Sequence, residues 1–280
     1  MAGRITASTL KKMKKNGEKI SMITAYDFSM ATIVDKSGVD VVLVGDSLGS
    51  AVLGYEDTTQ VTMEDMLHHI KAVTRGVKHA LVVGDMPFIS YHTGVYTAVE
   101  NAGRIVREGR AQGVKLEGGE EITDEIRAII KAGIPVMGHI GLTPQSVHKM
   151  GGYFIQGKTA ENARKLLHDA KALEDAGVFS IVLECIPAEL AEIITRQVTV
   201  PTIGIGAGSA CDGQVLVSYD LMGLFSGYVP SFVKQYADVG ALMTNAVKEY
   251  VAETKSGTFP DYERSFHIDK EIIDTLKGEQ

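Results

Sequence analysis

AGVFSIVLEC, residues 176–185, holds a complete passage from helix to strand to chemistry in one short stretch. Gly177 suits the left-handed residue that closes a helix. The run VFSIVL is apolar and β-rich, as in a parallel strand buried on both faces. It ends on a carboxylate, Glu184. The same grammar recurs in SGVDVVLVGDS (37–47), QGVKLEGG (112–119) and AGIPVMGHIG (132–141), with a looser copy in RGVKHALVVGDMPF (75–88).

The segments between these passages have helical periodicity. Met66, Leu67, Ile70 and Val73 share one face of 64–75. Ile122, Ile126, Ile129 and Ile130 do so in 121–132, and Ala163, Leu166, Leu167, Ala170 and Leu173 in 160–176. Strands are predicted at 20–25, 41–45, 80–85, 114–117, 135–139, 179–184, 202–205 and 215–224, the last with the weakest pattern. Strands alternating with helices imply a parallel sheet. Eight of them predict a closed (β/α)8 TIM barrel, an α/β fold, rather than an open doubly wound sheet. No Pro/Ser-rich linker interrupts the pattern, so residues 1–280 are read as one domain. The stretch 1–19 adds a peripheral N-terminal helix outside the repeat. The polar tail 254–280 is read as peripheral too, with a short last helix.

Composition narrows the function. The chain has 280 residues, 45% of them hydrophobic, enough to bury a barrel-sized core. Its formal net charge is −7 and it has no basic stripe, which argues against a nucleic-acid partner. The two cysteines, Cys185 and Cys211, lack metal-site spacing and read as reduced buried thiols. The N-terminus has no signal-like apolar core, and no apolar run reaches the roughly 18 residues needed to span a bilayer. A cytoplasmic protein with no membrane partner is expected.

In a barrel the C-terminal strand ends form the active-site face. The strand endings place there Asp46 with Ser47, Asp85, Lys115 with Glu117, His139, and Glu184. Asp46 or Asp85 alone reads equally well as a helix N-cap. Several converging carboxylates repel one another, and a divalent cation relieves that repulsion. Lys115 and Glu117 are two apart on a strand and point to the same side. They are either a structural ion pair, or Glu117 serves the metal and Lys115 an anionic substrate group. A Schiff-base role for Lys115 is the lesser option, because an acidic neighbour favours the charged amine. Glu184, closing the most apolar strand, is expected to have a raised pKa suited to a general base; the alternative ties it to an Arg or to backbone. His139 reads as a satisfied barrel histidine rather than a ligand. Asp27 reads as a helix cap. GIGAG (204–208) fits a phosphate loop or a tight turn equally. His68 and His69 are adjacent and do not share a helix face, so they are not a metal pair. Oxygen ligands favour Mg²⁺ over Zn²⁺. A hard cation, a lysine and a base together suggest an enzyme that forms an enolate from a 2-oxo acid and makes or breaks a carbon–carbon bond.

The segments KISMITAYDFSMA (19–31), VVLVGDSLGSAVLGYEDTTQVTMEDMLHHIKAVTRG (41–76), LVVGDMPFISY (81–91), VKLEGG (114–119), IPVMGHIGLTPQSVHKMGGYFIQGK (134–158), VLECIP (182–187) and TIGIGAGSACDGQVLV (202–217) closely resemble the ketopantoate hydroxymethyltransferase family, from about residue 4 to about residue 266. The resemblance implies a homodecameric barrel with one Mg²⁺ per subunit. It also implies transfer of a one-carbon unit from 5,10-methylenetetrahydrofolate to 3-methyl-2-oxobutanoate (ketoisovalerate), giving 2-dehydropantoate and tetrahydrofolate on the way to pantothenate and coenzyme A. By motif, Asp46, Asp85 and Glu117 resemble the metal set, and Asp46, Ser47, Asp85 and Lys115 the oxo-acid site. Glu184 resembles the proton acceptor of a Mg-bound enolate mechanism. Ser50 departs from the Met expected after GDSLG, off the charged set. Since the family's substrates are not phosphorylated, the glycines at 204–208 are left to a turn or to the folate end. Phosphoenolpyruvate mutase and isocitrate lyase relatives are the alternative enzymes, but a nucleophile loop such as KKCGH is not found. A non-catalytic oligomeric binder is the alternative outside enzymes.

Overall fold

The computed structural model describes residues 3–279 apart from 225, 226 and 228. The strands are β1 (Ile20–Thr24), β2 (Val41–Val44), β3 (Leu81–Asp85), β4 (Gly113–Glu117), β5 (Val136–Gly141), β6 (Ser180–Glu184), β7 (Thr202–Ile205) and β8 (Gly213–Leu216). Each pairs in parallel with the next, and β8 pairs back onto β1, so the barrel is closed. The helices are α1 (Ala7–Asn16), α2 (Phe28–Lys36), α3 (Met63–Gly76), α4 (Val95–Arg107), α5 (Thr123–Lys131), α6 (Val147–Met150), α7 (Ala160–Ala176), α8 (Ala188–Gln197), α9 (Ser218–Leu221), α10 (Val239–Ser256) and α11 (Lys270–Gly278). Local signals explain their limits. Thr62 and Asp65 form a reciprocal capping box at the start of α3. Gly177, at φ +101, closes α7.

Strand alternation sorts side chains into two layers. Outward residues such as Val42, Val82, Val114 and Leu116 pack under the helices with Met66, Ile70, Ile126 and Leu173. Inward residues such as Met22, Leu43, Val83, Met137, Val182 and Ile203 fill the barrel. Followed toward the C-terminal mouth, the inward columns turn ionisable. Leu81 and Val83 lead to Asp85; Gly113 to Lys115 and Glu117; Met137 to His139; Val182 to Glu184. The apolar layers beneath make this end a floor rather than a pore.

Two sequence expectations are corrected here. The last strand is Gly213–Leu216, not 215–224, because Ser218–Leu221 turns into helix. Gly213 belongs to the strand: a Cβ there would collide with the Ile20 carbonyl oxygen, so the glycine lets β8 close onto β1. The N-terminal helix lies outside the repeat as expected, but it is more than peripheral. Leu10 is fully buried in the interior cluster beside Ile20, Leu81 and Phe179, so α1 caps the N-terminal end of the barrel. Lys14 fixes it there, its Nζ donating to the carbonyls of Thr195 and Val200 and pairing with Asp212, all at 2.9 Å. In contrast, α10 and α11 bury no residue. No helix among the described residues is long and apolar enough to cross a membrane.

Candidate active site

Strand register assembles the site. Asp85 of β3 stands beside Lys115 of β4, and Glu117 of β4 beside His139 of β5. Glu184 ends β6, one strand further round. Asp46 and Ser47 follow β2, where the chain at once winds into a π-helical turn, Gly49–Leu53. Asp46, Ser47, Asp85, Lys115, Glu117 and Glu184 all line one cavity of about 110 Å³, together with His139. Two larger grooves, of about 530 and 620 Å³, lie elsewhere and contain no carboxylate. The chemistry therefore sits in the smallest of the three.

The charges interlock. Lys115 Nζ is 3.1 Å from Asp85 Oδ1 and 3.8 Å from Glu117 Oε1, with both partners buried. Burial opposes the ammonium, but the charges of Asp85, Glu117 and Asp46 overcome it and raise the Lys115 pKa. Lys115 is thus a cation, not a free-amine nucleophile. His139 joins the two sides: Nδ1 lies 3.3 Å from Glu117 Oε1 and Nε2 3.1 Å from Glu184 Oε2. The Nε2 contact is off the ring's N–H axis, so it is a charge contact rather than a formed hydrogen bond. Nδ1 is also 3.2 Å from Lys115 Nζ, which suits a neutral ring accepting a proton. The two flanking carboxylates decide the matter. Burial and Lys115 push the imidazole down, but Glu117 and Glu184 carry it up to about 9. Glu117 is lowered, because His139, Lys115 and the Gln145 N–H outweigh its burial. Asp46 moves well above the usual carboxylate range through burial and the charges of Glu117 and Asp85. Asp85 is raised too, by burial that Lys115 only partly offsets.

Neither Asp46 nor Asp85 caps a helix. Asp85 Oδ2 accepts the Asp46 N–H (3.0 Å), and Asp46 Oδ2 accepts from Gln145 Nε2 (2.8 Å). Asp27, by contrast, caps α2 through Met30 N, as expected. Glu184 is less enclosed than its apolar strand suggested, with 16% side-chain exposure against 3% for Glu117. The turn at 204–208 is shaped by Gly206 and Gly208, both at positive φ.

These donors fit a hard cation. Thr58 Oγ1 is buried without a hydrogen-bond partner among the described residues, and Asp85 Oδ1 is buried with the Lys115 ion pair but no well-aligned hydrogen bond; both residues line the cavity. The single ammonium of Lys115 is shared among three acids, and Asp46 and Asp85 still have raised pKa. No three Asp, Glu, His or Cys side chains among the described residues close on one point. A cation would therefore take Asp46 and Asp85 and complete its sphere with water or substrate, as Mg²⁺ commonly does. Both oxygens of Glu117 already have partners, in His139, Lys115 and the Gln145 N–H.

Two contributors escaped the sequence reading. Gln145 and Tyr91, both buried, tie Asp46 to Glu117. Their contacts with the site span 99 and 26 residues, and the sequence carries no signal that pairs them.

A closed (β/α)8 barrel with a carboxylate–lysine–imidazole centre in its C-terminal mouth defines a barrel enzyme. The family model for ketopantoate hydroxymethyltransferase matches residues 4–262. Similar chains include the 3-methyl-2-oxobutanoate hydroxymethyltransferases of Clostridium novyi (strain NT), 58% identical across 97% of this chain and 98% of that one, and of Clostridium kluyveri, 61% identical across 95% of both. The Syntrophomonas wolfei protein of the same name is 57% identical over 98% of this chain and 99% of its own. The chain belongs to the ketopantoate hydroxymethyltransferase family. Among solved structures, phosphonopyruvate hydrolase complexed with oxalate and Mg²⁺ shares the fold at a TM-score of 0.60 and 13% identity, covering 98% of this chain and 96% of its own. 2,3-Dimethylmalate lyase, of the PEP mutase/isocitrate lyase superfamily, does so at 0.56 and 17%, covering 98% and 94%.

Proposed function

We propose that this chain transfers a hydroxymethyl group from 5,10-methylenetetrahydrofolate to 3-methyl-2-oxobutanoate, giving 2-dehydropantoate and tetrahydrofolate. The observation that carries this reading is the cavity at the strand ends, which collects two aspartates, a buried ammonium and a carboxylate on its rim. Asp46 and Asp85 would hold a divalent cation, Mg²⁺, whose charge, when bound, acidifies the C3 proton of the oxo acid and stabilises the enolate. Glu117 serves that ion indirectly, through the Lys115 and Gln145 contacts that occupy its oxygens.

Lys115 pairs with the carboxylate of the oxo acid; it stays charged because three acids surround it. Ser47 Oγ, 2.8 Å from the buried Tyr26 hydroxyl, orients the same substrate. Glu184, the most exposed acid of the group, takes the proton from C3. His139 beside it holds the carboxylate toward the cavity. Water adds to the methylene carbon as one folate C–N bond opens; the second C–N bond then breaks, the water protons pass to the two nitrogens of tetrahydrofolate, and the carbon is left at the aldehyde level. The C3 carbanion attacks that carbon, and the resulting alkoxide takes its proton from Glu184. The apolar barrel floor excludes water from beneath the reacting carbon. The cytoplasm supplies both substrates. A homodecamer accords with the uncovered apolar residues of α10, Leu242, Met243, Val247 and Tyr250, and sedimentation of the full chain tests it.

The purified chain with both substrates and Mg²⁺ should form 2-dehydropantoate, measured by mass spectrometry. Cleavage or rearrangement of the oxo acid without folate consumption would instead place the chain with the lyases and mutases.

A further inference from the structure

Gln145 lies in the GLTPQ turn after β5 and is 4% exposed. Every hydrogen-bonding atom of its side chain is engaged. Nε2 donates to Asp46 Oδ2 at 2.8 Å and to the Met86 carbonyl at 3.0 Å. Oε1 accepts from the Tyr91 hydroxyl at 2.8 Å. The backbone N–H of Gln145 donates to Glu117 Oε2 at 3.0 Å. Tyr91, fully buried, also receives the Glu117 N–H at 3.2 Å. The amide can face only one way, because its NH₂ meets two obligate acceptors, a carboxylate and a carbonyl.

The consequence falls on Asp46. One of its oxygens is taken by an uncharged donor that is itself locked on both sides. Asp85 is treated alike, its Oδ2 held by the Asp46 N–H. Asp46 is left with Oδ1 to offer, while Asp85 Oδ1 also faces the Lys115 ammonium at 3.1 Å. An amide donor aims a carboxylate without neutralising it, whereas an ammonium in the same place would cancel the charge a cation needs.

We infer that Gln145, braced by Tyr91, is a positioning residue that presents Asp46 to the divalent cation through one oxygen and joins that ligand to Glu117. This inference rests on the reading of Asp46 as a cation ligand. Partners that orient a metal ligand commonly change metal affinity by about 10- to 100-fold when removed.

The test is calorimetric titration of Mg²⁺ into the metal-stripped full chain, without substrates, alongside thermal melting. Gln145→Met keeps the volume and removes the donor, and should weaken Mg²⁺ binding by about 10- to 100-fold while the apo-protein still melts cooperatively. Tyr91→Phe leaves Nε2 in place but frees Oε1, and should weaken binding less. Asp46→Asn should abolish binding. If Gln145→Met fails to fold, Gln145→Asn, too short to reach Asp46, gives the same reading. Wild-type affinity in the Gln145 variants, with binding lost in Asp46→Asn, would overturn the inference and leave the metal site standing. Undiminished binding in Asp46→Asn would overturn both.

Discussion

Lys115→Met removes the one ammonium among three buried acids and leaves the side-chain volume nearly unchanged. The Nζ distances of 3.1 Å to Asp85 and 3.8 Å to Glu117 correspond to attractions of about 4–5 kcal/mol each at an effective dielectric near 20. Desolvating the ammonium takes back several kcal/mol, so breaking the cluster should cost about 3–5 kcal/mol. Domains are commonly stable by about 5–15 kcal/mol, so the variant should still fold. The cost should depend on pH. Without Lys115 the carboxyls of Asp85 and Glu117 rise in the folded state, so the variant regains stability when acidification protonates them. The assay is urea denaturation of metal-stripped protein, wild type against variant, at pH 7.5 and pH 5.5. The loss should be large at pH 7.5 and shrink at pH 5.5. A loss under about 1 kcal/mol, or one equal at both pH values, would refute the view of Lys115 as a charge-compensating cation.

Other perturbations probe separate parts of the site. His139 has its folded pKa raised to about 9 from 6.5, so its stabilising contribution is complete below 6.5 and is lost as the pH rises through 9. His139→Gln should therefore destabilise more at pH 6 than at pH 9.5; equal losses in denaturation at both would remove the charged imidazole. Asp85→Ala should weaken Mg²⁺ binding by at least about 10-fold in a direct titration, and an unchanged isotherm would return Asp85 to a structural role. Gly141 has φ +100, and a Cβ there would overlap the Glu184 carbonyl oxygen. Gly141→Ala should cost about 2–4 kcal/mol in denaturation and displace the end of β6; a change under about 0.5 kcal/mol would show that the strand end yields freely.

The legible part of this fold was periodic. Helix stripes, closing glycines and apolar runs are local, and they located β1 to β7 within about two residues. β8 is misplaced in the sequence reading because its pattern is weak, and nothing local shows that the missing side chain of Gly213 is what admits β8 beside Ile20. The helix α1 resembled an appendage because nothing in ASTLKKMKKN tells that Leu10 enters the barrel. The acids and Lys115 were visible because a charge ending a buried strand is costly enough to stand out. His139 ended a strand in the same way, but a lone histidine in an apolar run does not show that it lies between two carboxylates. Gln145 and Tyr91 were hidden for another reason: neutral polar residues near turns are ordinary, and their partners are far away in sequence.

The central claim is that Glu184 removes the C3 proton of a cation-activated 2-oxo acid. Proton exchange at C3 of 3-methyl-2-oxobutanoate in D₂O, followed by NMR with Mg²⁺ and no folate, isolates that step. Exchange is expected with the wild-type chain. Glu184→Gln should lose at least about 100-fold of it, with oxo-acid binding nearly intact. Exchange at the wild-type rate in Glu184→Gln, or no exchange in a wild-type chain that binds both Mg²⁺ and the oxo acid, would contradict it.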